Sequence, residues 1–389
     1  MPSHDARLFL AGRYVAPASD ESVPVRSPVT GEHLADLPVP TADQIGAAVT
    51  AARSAFDGYR KWSAYERAAL CHAVADLIEA RADTLARLTT LEQGKPYHSE
   101  AHGDVEDTAA LFRVSAEDAL RLYGQTIPSS ERGKRMLTWR APVGVWAAVT
   151  PWNFPLMIAA EFIAPALATG NAVVAKPPSI TPLACLALGE ILAGAGVPDG
   201  LVSILPGDGK VGERLVTHPG VDAIGFVGSS ATAEKIVRAA GLKRSIIEAS
   251  GNGPVVVLAD ADLARAAQAV VYGAYWNAGQ VCCATECSTA SARTCWPQAK
   301  SRSGRSSRSS PRTATTNCCA SQTPISSGCR QPCSRSRSPG PSGSARNCGW
   351  ARSSSTTPPT ISRTHSPSAG LAARGPAGAG SAAWRNCST

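Results

Sequence analysis

The segment Asn277-Ala278-Gly279-Gln280-Val281-Cys282-Cys283-Ala284-Thr285-Glu286 follows an apolar helical stretch, residues 261–276, and ends in a turn of small residues. A thiol in such a turn is a candidate nucleophile, because thiolate is reactive near neutral pH and a turn can expose it. On the cysteine alone, a buried structural thiol is the commoner case. A zinc set of Cys282, Cys283 and Cys287 is weaker still: no histidine lies near, and adjacent thiolates rarely both ligate one zinc. A second candidate is Glu248. A carboxylate ending a strand is usually a surface group, but Ile246, Ile247 and Ala249 argue for a sheltered site, which strengthens a carboxylate as a base. A third is Asn153, whose side-chain amide stands between prolines, where a simple turn residue also fits. Finally, Gly207-Asp208-Gly209-Lys210-Val211-Gly212 satisfies G-x-G-x-x-G. That fingerprint normally belongs to the first strand of its domain, whereas two apparent strands precede it here, so it reads as a connection.

The elements that must position these residues are legible from periodicity. Capping boxes at Thr41/Gln44 and Ser63/Glu66 open helices, the second running through Leu70, Val74, Leu77 and Ile78 to a stop at Gly94-Lys95-Pro96. From Val143 the texture changes to short apolar runs at 143–149, 172–175, 201–205, 223–227 and 254–258, with helical segments at 156–169, 182–195, 212–217 and 232–240. Strands without a polar face belong to a parallel sheet covered on both sides, so the fold class is α/β, a doubly wound, mostly parallel sheet. Such sheets bind ligands at the carboxyl ends of their strands.

Composition divides the chain. All 30 acidic residues lie at or before Glu286, and the last 103 residues carry +14 of charge, eight of the twelve cysteines and only three large aliphatics, Ile325, Ile361 and Leu371. The basic balance is therefore a property of the tail, not a nucleic-acid signature of the folded part. A stretch so poor in apolar surface cannot offset its chain entropy and is expected to be disordered. The start of the chain has no cationic segment followed by an apolar core, which predicts no secretory signal and a cytoplasmic location. The most apolar stretch, residues 143–167, is interrupted by Pro151, Trp152, Asn153, Glu161 and Pro165, which excludes a bilayer span. Cys71, Cys185, Cys282 and Cys283 are too sparse for a disulfide framework and read as free thiols.

Five segments in order carry a resemblance: Thr150-Pro151-Trp152-Asn153-Phe154-Pro155; Ala175-Lys176-Pro177-Pro178-Ser179 with Thr181-Pro182-Leu183; Gly225-Phe226-Val227-Gly228-Ser229; more loosely Glu248-Ala249-Ser250-Gly251-Asn252-Gly253-Pro254; and the Cys282 loop. Together they resemble the aldehyde dehydrogenase superfamily over nearly all of residues 1–286. The resemblance implies that Cys282 adds to an aldehyde carbonyl, that the Asn153 amide and the Cys282 backbone N–H hold the oxyanion, and that hydride leaves for NAD or NADP. Glu248 then takes the position of the base that activates water against the thioester, and Cys283 a supporting one. Gly228 and Ser229 would offer donors to the pyrophosphate. Trp152 and Lys176 match positions lining the phosphate and adenosine ribose. NAD-preferring relatives usually carry a glutamate where this chain has Ser179, so NADP is expected to be accepted or favoured. One departure is local: Ala249-Ser250 stand where the family usually has Leu-Gly, which predicts an altered backbone beside the nicotinamide.

The resemblance stops abruptly. It implies 1–260 as amino-terminal segment and dinucleotide-binding domain, 261–286 as the start of a truncated catalytic domain, and 287–389 as a Ser/Arg/Pro/Cys-rich tail foreign to the family. A shifted reading frame through GC-rich DNA would give such a tail; an Arg/Ser-rich tail binding RNA is the less favoured alternative. Without the family's walls around Cys282, little or no turnover is expected. The resemblance also implies a homo-oligomer, whose exchanged strand comes from the part not matched. Phe154 and Met157 suggest an apolar substrate entrance, with Glu161 as a polar element.

Overall fold

The computed structural model describes residues 7–258 and 260–289, so the expectation of a disordered tail lies outside the described residues. In chain order the elements are β1 (Leu8–Leu10), β2 (Arg13–Val15), β3 (Ser22–Arg26), β4 (His33–Pro38), α1 (Ala42–Tyr59), α2 (Ala64–Ala80), α3 (Ala82–Gln93), α4 (His102–Ala119), β5 (Gln125–Ile127), β6 (Met136–Thr138), β7 (Val145–Val149), α5 (Met157–Ala168), β8 (Ala172–Lys176), α6 (Leu183–Gly194), β9 (Val202–Ile204), α7 (Gly209–Thr217), β10 (Ala223–Gly228), α8 (Ser230–Ala240), β11 (Arg244–Ala249), β12 (Gly253–Val256), α9 (Leu263–Tyr275) and β13 (Thr285–Thr289). They fall into two compact units that divide between Ser250 and Gly251.

Both capping boxes form. Thr41 Oγ1 accepts the Gln44 N–H at 3.2 Å while Gln44 Oε1 accepts the Thr41 N–H at 3.1 Å, and Ser63 and Glu66 repeat the exchange. The helix expected from Ser63 to Gly94 is two helices. The backbone leaves helical geometry at Arg81 (φ −112°, ψ 16°), and α3 ends on Gly94 in the left-handed conformation.

The first unit is built on a seven-stranded sheet in the order β11-β10-β7-β8-β9-β1-β2. The five strands from β11 to β9 are parallel, and β1 and β2 add antiparallel at one edge. Every residue of β7, β8 and β9 is buried, the state that their lack of a polar face requires between two helical layers. Helix α5 buries all its residues except Glu161, and each fully buried aliphatic there, such as Ile163 or Leu167, contributes about 1.5–3 kcal/mol. Asp222 fastens the sheet to α1: it pairs with Arg53 and accepts the Val145 N–H at 2.8 Å.

The second unit, from Gly251, holds β12 and β13 as a parallel pair joined through α9. This corrects the sequence reading of residues 254–258 as another strand of the main sheet: the run forms β12 in a separate two-stranded sheet. The strand that does extend the main sheet is β11, whose mixed polar sequence suits its place at the end of the described strand order. β13 also continues two residues past Cys287.

Candidate functional site

Because β7, β8, β10 and β11 run parallel, their carboxyl ends lie along one edge of the sheet. Val149 pairs with both Lys176 and Phe226, and Val227 pairs with Glu248, so the four strands end nearly level. Trp152 and Asn153 sit partly exposed in the loop between β7 and α5. Lys176 is the last residue of β8, Gly228 the last of β10, and Glu248 the penultimate residue of β11.

Lys176 is 6% exposed, and its ammonium donates to the carbonyls of Pro177 (2.8 Å) and Gly207 (3.2 Å). Burial lowers its pKa to about 8, opposed by Asp208 and Cys185. Ser179 Oγ also donates to the Gly207 carbonyl, at 2.7 Å. That carbonyl gathers the two residues expected to read the adenosine ribose, a role the motif reading missed; the only local sign is the glycine itself, with φ of 138°. The rest of G-x-G-x-x-G is a connection: Asp208 caps α7 by accepting the N–H groups of Lys210 and Val211.

A single residue, Ser229, separates β10 from α8 and caps the helix through its hydroxyl on the Thr232 N–H. The positive end of the α8 dipole therefore meets the strand ends. These features fit a dinucleotide. The helix start suits a pyrophosphate, Lys176 commits two of its three donors within the protein, and no carboxylate stands at position 179 to repel a 2′-phosphate.

One carboxylate oxygen of Glu248, Oε1, is buried without a hydrogen-bond partner, an arrangement that leaves it available to a ligand or water. On α5, Glu161 has its pKa raised to about 8 by burial first, then by Glu248 and Asp104. It therefore holds its proton at neutral pH, so the expected polar element is an uncharged acid there.

In the second unit, Asn277, Ala278 and Gly279 are all left-handed, a sharp reversal after α9. Val281 and Ala284, both buried, then close a turn through a 3.0 Å hydrogen bond from the Ala284 N–H to the Val281 carbonyl. Cys282 and Cys283 occupy the two central positions, the first partly exposed and the second exposed. Gly251 and Gly253 run against this turn so closely that a Cβ would collide with the carbonyls of Cys282 and Ala284. By contrast, Cys71 and Cys185 are buried, with pKa values pushed up to about 12, and are inert. Ser250, standing where the family usually has glycine, adopts φ of 76°.

Among the described residues no helix is long and apolar enough to cross a membrane, and no cluster of His, Cys, Asp or Glu could hold a metal ion.

The model of the aldehyde dehydrogenase family matches residues 14–293. The 3,6-anhydro-alpha-L-galactose dehydrogenase of Streptomyces coelicolor is 41% identical over 283 residues, covering 72% of this chain and 57% of that protein. The NADP(+) succinate-semialdehyde dehydrogenase GabD of Escherichia coli is 38% identical over 290 residues, 72% of this chain and 60% of its own length. Among solved structures, an E. coli NADP-dependent enzyme superposes with a TM-score of 0.72 at 34% identity, covering 77% of this chain and 62% of its own. The chain thus spans between 57% and 62% of the length of these relatives. With a family model that matches residues 14–293 and relatives 38–41% identical over 72% of the chain, this chain belongs to the aldehyde dehydrogenase family.

Proposed function

We propose that the chain is an NAD(P)-dependent aldehyde oxidoreductase of the cytoplasm that accepts NADP and works through a cysteine thioester. The observation that carries this reading is the level ending of four parallel strands, with Trp152, Lys176, Ser229 and Glu248 at or beside those ends. The NADP(+) named for the GabD relative supports the cofactor assignment, as does Ser179. Trp152, Lys176, Ser179, Gly228 and Ser229 would hold the nucleotide, which when bound supplies the hydride acceptor.

The protein's own part is as follows. The Cys282 thiolate adds to the aldehyde carbon, forming the C–S bond and sending the carbonyl electron pair to oxygen. The Asn153 amide and the Cys282 N–H stabilise that oxyanion. After hydride departure a thioester remains on Cys282. Glu248 takes a proton from water, whose oxygen attacks the acyl carbon and releases the acid and the thiolate. In this reading residues 261–286 begin the catalytic domain.

Little or no turnover by this chain is expected, because residues 294–389 fall outside the family match. Single-turnover acylation is therefore the sensitive test. Full-length protein incubated with NADP and an aldehyde panel should gain an acyl mass on the Cys282 peptide, and Cys282→Ala should abolish it while Cys185→Ala does not. An adduct that survives Cys282→Ala would sink the reading.

A further inference from the structure

The first backbone N–H groups of a helix have no partner within it, and a capping side chain normally accepts one. In α5 and α6, the helices that follow β7 and β8, the local cap residues Leu156 and Pro182 supply no such bond. The acceptors come from far away in sequence. Asp104 of α4 accepts the Met157 N–H on Oδ1 at 3.0 Å, and Glu92 of α3 accepts the N–H groups of Leu183 (2.6 Å) and Ala184 (2.9 Å) on its two carboxylate oxygens.

We propose that Asp104 and Glu92 are positioning residues: remote caps from the helical layer that hold in place the two loops carrying Trp152–Asn153 and Lys176–Ser179. The proposal rests on the nucleotide-site reading above for its functional meaning. The geometry ties both caps to those loops. Lys95 pairs with the other oxygen of Asp104 at 3.1 Å, the two side chains being 1% and 0% exposed, and its ammonium lies 4.0 Å from the ring centroid of Phe154, next to Asn153. Thr181 Oγ1, just before α6, donates to the Trp152 carbonyl at 3.1 Å and joins one loop to the other.

A purely stabilising role explains this arrangement poorly. A buried ion pair is often no more stable than well-packed apolar residues of the same volume, so stability alone does not call for acids here. What an apolar residue cannot supply is a directed acceptor. Asp104, paired with Lys95, also interacts favourably with the positive end of the α5 dipole, whereas Glu92, its pKa raised to about 8 by burial first, acts as an acceptor rather than as a charge.

Hydrogen–deuterium exchange on the full-length, nucleotide-free chain separates positioning from stability. In K95M/D104L, which removes the acceptor but keeps the volume apolar, exchange in peptides covering 150–158 should rise about tenfold, with β8 and β9 unchanged. K95M/D104N, which restores an uncharged acceptor, should recover most of the protection. Glu92→Met against Glu92→Gln makes the same comparison for peptides covering 177–185. If K95M/D104L does not fold, Asp104→Asn alone gives a milder comparison, with a rise of about threefold in 150–158 expected. Uniform acceleration across the chain, or loops that do not respond, overturns the proposal. NADP titration of the same proteins is the second arm. If the unmodified chain binds NADP and the acceptor-less variants bind about tenfold more weakly, the caps serve the nucleotide site. If the unmodified chain binds no NADP, the nucleotide reading fails, while the exchange data still decide whether the caps hold the loops.

Discussion

Helices α5 and α9 are both apolar, yet one is buried in all but Glu161 and the other has no buried residue. In α9, Leu263, Val271, Tyr272 and Tyr275 are 71%, 56%, 48% and 54% exposed. The difference lies in what each helix is given to pack on. α5 lies against a seven-stranded sheet and a layer of helices, whereas the described residues of the unit containing α9 offer it a two-stranded pair, too small to cover a helix face. The strand ends proposed to hold the nucleotide are therefore shaped by core packing. The Cys282 turn owes its shape to backbone constraints: the left-handed run at 277–279, the Val281–Ala284 hydrogen bond and the close passage of Gly251 and Gly253.

The sharpest break of this comparison is a pair of truncations. Ile163→Ala on α5 should cost about 2–5 kcal/mol in urea unfolding, the usual penalty of a cavity in a dense core. Val271→Ala on α9 should cost about 0.5 kcal/mol or less. Equal penalties would mean that α9 is packed after all.

A second prediction uses the titration of Lys176. Its ammonium is the form that can pair with a 2′-phosphate, and burial has moved its pKa to about 8. Affinity for NADP should thus be highest below pH 8 and fall as pH rises beyond it, by at most about tenfold per pH unit. NAD, which lacks the phosphate, should bind with a nearly flat profile. Calorimetric titrations of both nucleotides from pH 7 to pH 10 would reveal the contrast, and parallel profiles would remove Lys176 from the phosphate site.

The smallest effect concerns Ser250. A side chain at φ of 76° is strained, and glycine relieves it, less the entropy that glycine loses on folding. Ser250→Gly should raise stability by about 0.5–1 kcal/mol, visible as a higher urea midpoint. A lowered midpoint would show that the serine is held by contacts that outweigh the strain. This strained residue immediately follows Ala249, where the departure from the family's Leu-Gly predicted an altered backbone.

Much of the first unit was legible because its signals are short-range. The Thr41/Gln44 and Ser63/Glu66 boxes, the stop at Gly94 and the buried runs at β7, β8 and β10 each depend on a handful of neighbouring residues. β11 was hidden by Arg244, Ser245 and Glu248, which an edge strand tolerates and a buried strand does not. β1 was hidden by distance: its partner in β9 is Ile204, paired with Phe9. The run at 254–258 was a strand as expected, but apolar character alone cannot say which sheet it joins.

The amino-acid sequence by itself determined the chemistry on offer: a thiol in a small-residue turn, an amide between prolines and a glutamate in an apolar stretch, with a serine at 179 where the resemblance implies an acid in NAD-preferring relatives. It also determined where helices start and stop, since caps and periodicity act within a few residues. Tertiary structure alone decided that Trp152, Lys176, Ser229 and Glu248 share one sheet edge, that the Gly207 carbonyl gathers Lys176 and Ser179, and that Asp104 and Glu92 cap helices they do not belong to. The physical reason is range. Strand order, register and remote acceptors depend on groups tens to hundreds of residues apart, which meet only when the core has formed and left each buried polar group a partner to find.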